Sequence, residues 1–314
     1  MNDSLILEMV RITESTALAA AAHTGRGDEA RASEAATQTM YQRLAKLPVD
    51  GRVAIGTNES SSVEHLHTGD RVGIGDEPAV DVAVAPLEGP SICAHGGPNA
   101  LTILALASQD SILRCPNIRM DKIVAGPGTG EVIDLDKTPR DNLDSLAQFK
   151  GCQVQDLTVV MLYRPRHEAL MREVRDAGAR IRLISDGDVA AALATTKPDS
   201  GLDLLMGSGG APQGIMAAAA LRCIGGAMQA RLRPQGQSEL ELCQRAGISD
   251  MNRKYQIDEL VDGDVLFAAT AVTDGDYLAG VHSLPHNMKR SESVILTSKK
   301  REVRLVTTTH PTQS

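Results

Sequence analysis

Leu157-Thr158-Val159-Val160-Met161-Leu162-Tyr163-Arg164-Pro165-Arg166-His167 is the stretch from which the fold is read. Its β-branched and aliphatic run predicts a strand, Arg164 to His167 a loop, and Glu168 to Ala177 a helix. The unit then recurs. Arg180 to Ile184 reads as a strand, Ser185-Asp186-Gly187-Asp188 as its loop and Val189 to Thr195 as its helix. Leu202 to Met206 is again a strand, Gly207-Ser208-Gly209-Gly210-Ala211-Pro212 its loop, and a helix runs from Gln213 or Gly214 to about Ala230. Three successive βα units predict a parallel sheet with right-handed crossovers, whose ligands sit beyond the carboxyl ends of the strands. The polar loops fall at those ends.

Working outward, Leu5, Met9, Ile12 and Ala17 recur at roughly helical spacing in a helix from Leu5 to His23, which Thr24-Gly25-Arg26-Gly27-Asp28 stops. A second helix follows over Glu29 to Leu44. From Val53 the period changes, with short β-type runs at Val53-Ala54-Ile55 and Asp81-Val82-Ala83-Val84, so the first half reads as α+β. Strands return at Val265 to Ala271, Ser293 to Thr297 and Val303 to Thr308. The expected organisation is an α+β half over residues 1–150 and an α/β half over 151–314.

Composition excludes several classes of function. The net charge of -8 repels nucleic-acid backbones. Six aromatic residues in 314, with no Trp, give no stacking platform for bases. Cys93, Cys115, Cys152, Cys223 and Cys243 form no Cys-x-x-Cys pair, so they read as reduced core thiols rather than disulfides or a zinc site. The absence of a basic start followed by an apolar core, and of a long apolar run, points to the cytoplasm with no membrane partner. Arg26-Gly27-Asp28 is taken as a chance tripeptide.

The three loops supply complementary chemistry. Arg164 and Arg166 flank Pro165 and can present two guanidinium groups to phosphate oxygens, or form a solvated basic turn. Asp186 and Asp188 are acceptors for sugar hydroxyls or a metal, with Asp188 also suited to cap the next helix. Gly207 to Gly210 let a ligand approach the backbone, or form a tight turn, and Pro212 opens a helix whose N-terminus favours an anion.

Asp81-Val82-Ala83-Val84-Ala85-Pro86-Leu87-Glu88-Gly89-Pro90 resembles the Asp-Pro-Ile/Leu-Asp/Glu-Gly-Thr signature of metal-dependent sugar and inositol phosphatases. The closest resemblance is to the class II fructose-1,6-bisphosphatase family, including dual fructose/sedoheptulose bisphosphatases. It extends through Arg11-Ile12-Thr13-Glu14-Ser15, Gly25-Arg26-Gly27-Asp28, Arg164-Pro165-Arg166-His167, Asp186-Gly187-Asp188-Val189 and Gly209-Gly210-Ala211-Pro212 to the C-terminal strands. The fold it implies is a layered αβαβα sandwich, in the α/β class.

For chemistry the resemblance implies two different outcomes. The family's metal ligands are an Asp after Gly-Arg-Gly, the first Glu of a Gly-Glu-Gly-Glu run, the Asp and Glu of the signature and a Glu after Gly-Ala-Pro. The matching positions are Ser33, Thr57, Ala85, Glu88 and Gln213, so Glu88 alone keeps its charge. Pro90 stands where a Thr hydroxyl is expected to orient the attacking water, and Asn58-Glu59-Ser60-Ser61-Ser62 where the family is markedly acidic. Glu34 and Glu59 are neighbours that could substitute, but Glu34 projects about 100° around the helix from Ser33. Glu88, Gly89, Arg164, Arg166, His167, Asp186, Asp188 and Gly210 match positions used for substrate, and Arg119 replaces a common Tyr.

Three functions follow from these readings. One is a non-hydrolytic subunit that binds a sugar phosphate without a cofactor, in a homo-oligomer or beside an active paralogue. The second is a metal-free enzyme on a sugar-derived substrate, such as a dehydratase or lyase, with Glu88, Asp186 and Asp188 as acid–base groups and His167 and Arg119 as further candidates. The third is an active bisphosphatase that retains Mg²⁺ or Mn²⁺.

Overall fold

In the computed structural model, which describes residues 3–57 and 65–311, the chain forms α1 (Asp3–Ala21), α2 (Glu29–Leu44), β1 (Asp50–Ile55), β2 (Arg71–Val72), β3 (Ala79–Glu88), α3 (Pro90–His95) and β4 (Leu101–Ser108). Next come β5 (Arg119–Ala125), α4 (Pro139–Lys150), β6 (Thr158–Leu162), α5 (Glu168–Ala177), β7 (Arg180–Ile184), α6 (Asp188–Ala194), β8 (Leu204–Gly210) and α7 (Ala211–Ile224). The chain ends with β9 (Ala227–Arg233), α8 (Gly236–Arg245), β10 (Tyr255–Gln256), α9 (Ile257–Leu260), β11 (Val265–Ala271), β12 (His282–Leu284), β13 (Met288–Thr297) and β14 (Glu302–Pro311). This is a mixed α/β fold with two sheets.

The chain divides into one unit of Met1–Ile112 with Asp262–Ser314 and a second of Leu113–Val261. A division at residue 150 therefore falls inside the second unit. The reason is packing: Leu143, Leu146 and Ala147 of α4 share one apolar cluster with Ile123, Val159 and Met161. The C-terminal strands likewise return to the first unit, where β11 pairs with β4 in continuous antiparallel register from Val265↔Ala107 to Ala271↔Leu101.

In the first unit an eight-stranded sheet runs β12-β13-β11-β4-β3-β1-β2, with β14 on β13. Leu5, Ile6, Met9 and Val10 of α1 and Met40 and Leu44 of α2 pack with Val82, Val84, Leu104, Leu106 and Ile295 of the sheet. Each such side chain contributes about 1.5–3 kcal/mol on burial. Asp28 caps α2, its carboxylate accepting from the Arg31 N–H at 3.0 Å.

In the second unit a six-stranded sheet runs β10-β9-β5-β8-β6-β7. β6 is parallel to both β7 and β8, so the three expected βα units are present. β5 lies antiparallel between β8 and β9. Two expectations are corrected. Gly207 to Gly210 are not a loop but the end of β8, paired as Lys122↔Gly207 through Arg119↔Gly210. The helix from Gln213 stops at Ile224 rather than Ala230, because Gly225, at φ 80°, turns the chain and Ala227 to Arg233 pair with β5 as β9.

Candidate functional site

The second unit gathers its polar side chains around Ser208 and Asp188. At the end of β6, Arg164 donates to the Tyr163 carbonyl at 3.0 Å. Arg166 directs Nε and Nη2 onto the Ser208 carbonyl at 3.1 and 2.6 Å, leaving Nη1 outside that contact. The Ser208 N–H donates to Nε2 of His167 at 2.8 Å, while Nδ1 of His167 donates to the Leu162 carbonyl at 2.7 Å. The Ser208 peptide is thus held by Arg166 on one side and His167 on the other. His167 is buried and both its ring nitrogens are engaged by the main chain, so its ring joins two strand ends and presents neither nitrogen to a ligand.

Charge crowds at the same place. Burial, followed by the positive charges of Arg119 and Arg164, pulls the Arg166 guanidinium below the usual arginine range, and Asp188 and Asp121 oppose that pull. Arginine stays protonated through such shifts, so the three guanidinium groups form one cationic cluster. Arg119 opens β5 and is exposed, opposite Gly210 in the ladder. Asp121, two residues on, pairs instead with Arg233 at 2.5 Å.

Asp188 departs from its expected role as a helix cap. Gly187, at φ 94°, occupies the cap position without a side-chain bond, and Asp188 is the first residue of α6. Its carboxylate Oδ2 meets the Lys122 ammonium at 2.5 Å, with both side chains buried. Lys122 also lies 3.3 Å from the Gly210 carbonyl. Asp186 is half-buried and accepts from the Gly187 N–H at 3.0 Å through Oδ1.

The glycines of β8 are explained by these side chains. A Cβ at Gly207 would lie 3.0 Å from the His167 ring, one at Gly209 2.0 Å from Asp188 Oδ2, and one at Gly210 2.0 Å from Gln213 Oε1. Beneath them a cavity of ≈ 10 Å³, bordered by Lys122, His167, Asp188 and Ser208, has room for about one water, the size of a single ligand hydroxyl. A larger cleft of ≈ 280 Å³, bordered by Gly130, Leu221, Arg222, Met228 and Asp258, contains none of the residues singled out from sequence.

The first unit places four of the five positions matched to metal ligands on α2, β1's exit and β3, and the fifth, Gln213, lies on α7 of the second unit. Ser33 is half-buried on α2 and its carbonyl accepts from the Thr37 hydroxyl, while Glu34 is exposed. The Thr57 hydroxyl donates to the His65 carbonyl at 2.9 Å, and His67 Nδ1 stands 3.3 Å from Thr57 Oγ1. Ala85 and Glu88 flank an irregularity in the pairing of β3 with β4, stabilised where the Thr102 hydroxyl donates to the Pro86 carbonyl at 2.9 Å. Glu88 is buried. Gly89, at φ 82°, turns the chain into α3, and Pro90 occupies the first helical position. Glu59 and the rest of Asn58 to Ser62 lie outside the described residues. Among the described residues, no three His, Cys, Asp or Glu side chains are grouped to hold a metal ion.

The mixed α/β fold is consistent with the layered fold of the sugar-phosphatase class of proteins. A family profile described as "Bacterial fructose-1,6-bisphosphatase, glpX-encoded" matches residues 3–310. The chain belongs to this class II fructose-1,6-bisphosphatase family. It is 36% identical to the fructose-1,6-bisphosphatase class 2 of Haemophilus influenzae, over 99% of this chain and 97% of that protein. It is 37% identical to fructose-1,6-bisphosphatase 1 class 2 of Escherichia coli K12, over 99% and 96%. It is 36% identical, over the same shares, to the D-fructose 1,6-bisphosphatase class 2/sedoheptulose 1,7-bisphosphatase of Synechococcus sp. JA-3-3Ab.

Lys122 was missed by sequence reasoning, although a signal was present. It stands between Met120 and Val124 at the strand's period of two, a charge on the face that the flanking apolar residues mark as buried. No helix of the described residues is long and apolar enough to cross a membrane.

Proposed function

We propose that the protein binds a sugar phosphate, or a close relative, through the second unit and does not hydrolyse it, because its metal centre is degenerate. The observation that carries the binding half is the placement of Arg166 on the Ser208 carbonyl, with Arg164 two residues before it and Arg119 paired with Gly210 on the same strand β8, in a chain of net charge -8. Like charges held this near one another repel, and a phosphate-type anion relieves that repulsion through charge-assisted hydrogen bonds. Asp186 and Asp188 supply acceptors for hydroxyls in the same constellation.

The hydrolytic half lacks what the family reaction needs. Phosphate-monoester hydrolysis requires accelerations of up to about 10²¹-fold, and in metal phosphatases a metal pair generates the nucleophile and stabilises the leaving oxygen. Mg²⁺ and Mn²⁺ take carboxylate oxygens. Of the five matched positions Glu88 alone offers one; the Thr57 hydroxyl is turned onto a main-chain carbonyl, and Ala85 has no ligating atom. The residues present do not fit a metal pair. A subunit role, in an oligomer with itself or with an active paralogue, is part of the same proposal.

Isothermal titration with fructose 1,6-bisphosphate and fructose 6-phosphate, with and without Mn²⁺, tests it when released phosphate is assayed in the same samples. Metal-independent binding without phosphate release is the expected result. Metal-dependent turnover would overturn the reading.

A further inference from the structure

We propose that Lys122 is a positioning residue of the ligand site: it holds the Asp188 carboxylate in one orientation, and so confers preference for ligands that carry hydroxyl donors beside their phosphate-type group. This rests on the reading of Asp188 as a ligand contact. Burying an ammonium and a carboxylate is costly unless geometry is good and further hydrogen bonds are made. Both conditions hold here: Nζ is 2.5 Å from Asp188 Oδ2 and 3.3 Å from the Gly210 carbonyl, and the two side chains are 2% and 8% exposed.

The neighbouring strand is shaped around the pair. A Cβ at Gly209 would lie 2.0 Å from Asp188 Oδ2 and 3.0 Å from Lys122 Nζ, so the carboxylate sits where only glycine leaves room. With Oδ2 held by the ammonium, the orientation of Asp188 is fixed and its carboxylate can accept a hydrogen bond from a ligand hydroxyl. Its charge also reaches Arg166, which places the hydroxyl-reading and anion-reading groups in one electrostatic unit. A ligand lacking the hydroxyl leaves this acceptor unmatched, the arrangement that discriminates most strongly between substrate analogues.

The test is isothermal titration of the full chain with fructose 6-phosphate and with inorganic phosphate, for the wild type, K122M, D188N and the K122M/D188N double variant. The wild type is expected to prefer fructose 6-phosphate by about tenfold or more. K122M is expected to lose that preference while its affinity for inorganic phosphate changes by less than about threefold. Added to D188N, K122M is expected to have no further effect on the preference, because it acts through Asp188. Should K122M not fold, G209A displaces the same carboxylate with both charges kept and is expected to lose the preference too. A folded K122M or G209A that keeps the wild-type preference, or independent effects of K122M and D188N, would overturn the proposal. A wild type that shows no preference removes the role of Asp188 and this proposal with it; one that binds neither probe overturns the sugar-phosphate reading itself.

Discussion

The two units treat their polar positions in opposite ways. In the first, four of the five positions matched to metal ligands carry Ser33, Thr57, Ala85 and Glu88, and the Thr57 hydroxyl is spent on the His65 carbonyl, while the fifth, Gln213, lies on α7 of the second unit. In the second, the polar side chains near β8 hold its neighbours in place, with Arg166 and His167 on the Ser208 peptide and Lys122 on Asp188. Around the first unit's matched positions the backbone is regular, with Gly89 turning into α3 and Asp28 capping α2. The proposed function has this fold shed the groups that make a nucleophile while keeping those that recognise an anion, the former depending on charge at a few positions and the latter being woven into strand ends.

The largest effect that could break this contrast is gain of hydrolysis. S33D, T57E, A85D, Q213E and P90T are expected to be needed together before Mn²⁺-dependent phosphate release is appreciable, since a metal pair requires most of its carboxylates at once. Turnover after restoring one or two of them would show that the first unit retains more of a metal site than its residues indicate.

Next in size is the buried pair of the second unit. K122M leaves the Asp188 carboxylate buried without its counter-charge and is expected to cost about 3–5 kcal/mol in urea-denaturation experiments, while the K122M/D188N variant recovers much of that loss. A cost within the range of an exposed substitution would mean that the pair does not organise the site. R166A is expected to weaken binding of inorganic phosphate by about 10–100-fold, corresponding to loss of a charge-assisted hydrogen-bond pair, and to flatten the dependence of binding on salt. An unchanged affinity would remove Arg166 from the anion cluster.

The smallest effect lies away from both sites and sharpens the comparison by serving as a control. Hydrogen bonding to Lys254 holds Asp134 and Asp136 below the usual carboxylate range, with Arg231 adding to the effect on Asp136. For groups with depressed folded-state values the stabilisation is present above the ordinary aspartate pKa and is lost as pH falls through the depressed one, below about 4. K254M is therefore expected to cost about 1 kcal/mol or less at neutral pH, these groups being partly exposed, and to reduce the sensitivity of stability to acid below that pH. Ligand binding should not change in this variant.

The parts of the fold legible in sequence were those with local causes. β6, α5 and β7 announce themselves through the change from period two to helical period, and α2 through the glycines and Asp28 before it. The return of β11 to β4 was not legible, because pairing across so much chain leaves no local mark. The run of alanines from Ala217 conceals the break at Gly225, so that the helix reads through into β9. In the site, Arg164 and Arg166 stand out through their placement at a strand end, and Arg119 through the resemblance, where it replaces a common Tyr. Gly207, Gly209 and Gly210 stand out for an incomplete reason: they accommodate His167, Asp188 and Gln213, a requirement visible once side chains are placed. Of the five cysteines read as core thiols, Cys93, Cys115, Cys223 and Cys243 are buried and Cys152 is half-buried, and burial, aided by nearby Cys243, pushes Cys115 up to about 12.

The most direct test of the contrast between the units is electron paramagnetic resonance of Mn²⁺ titrated with the protein in saturating fructose 1,6-bisphosphate, against the same ligand without protein. The expected result is a free-Mn²⁺ signal that the protein leaves undiminished, although calorimetry of the same sample reports bound sugar phosphate. A stoichiometric loss of that signal, reversed by E88Q, would contradict the account by showing that the first unit still assembles a metal centre around Glu88.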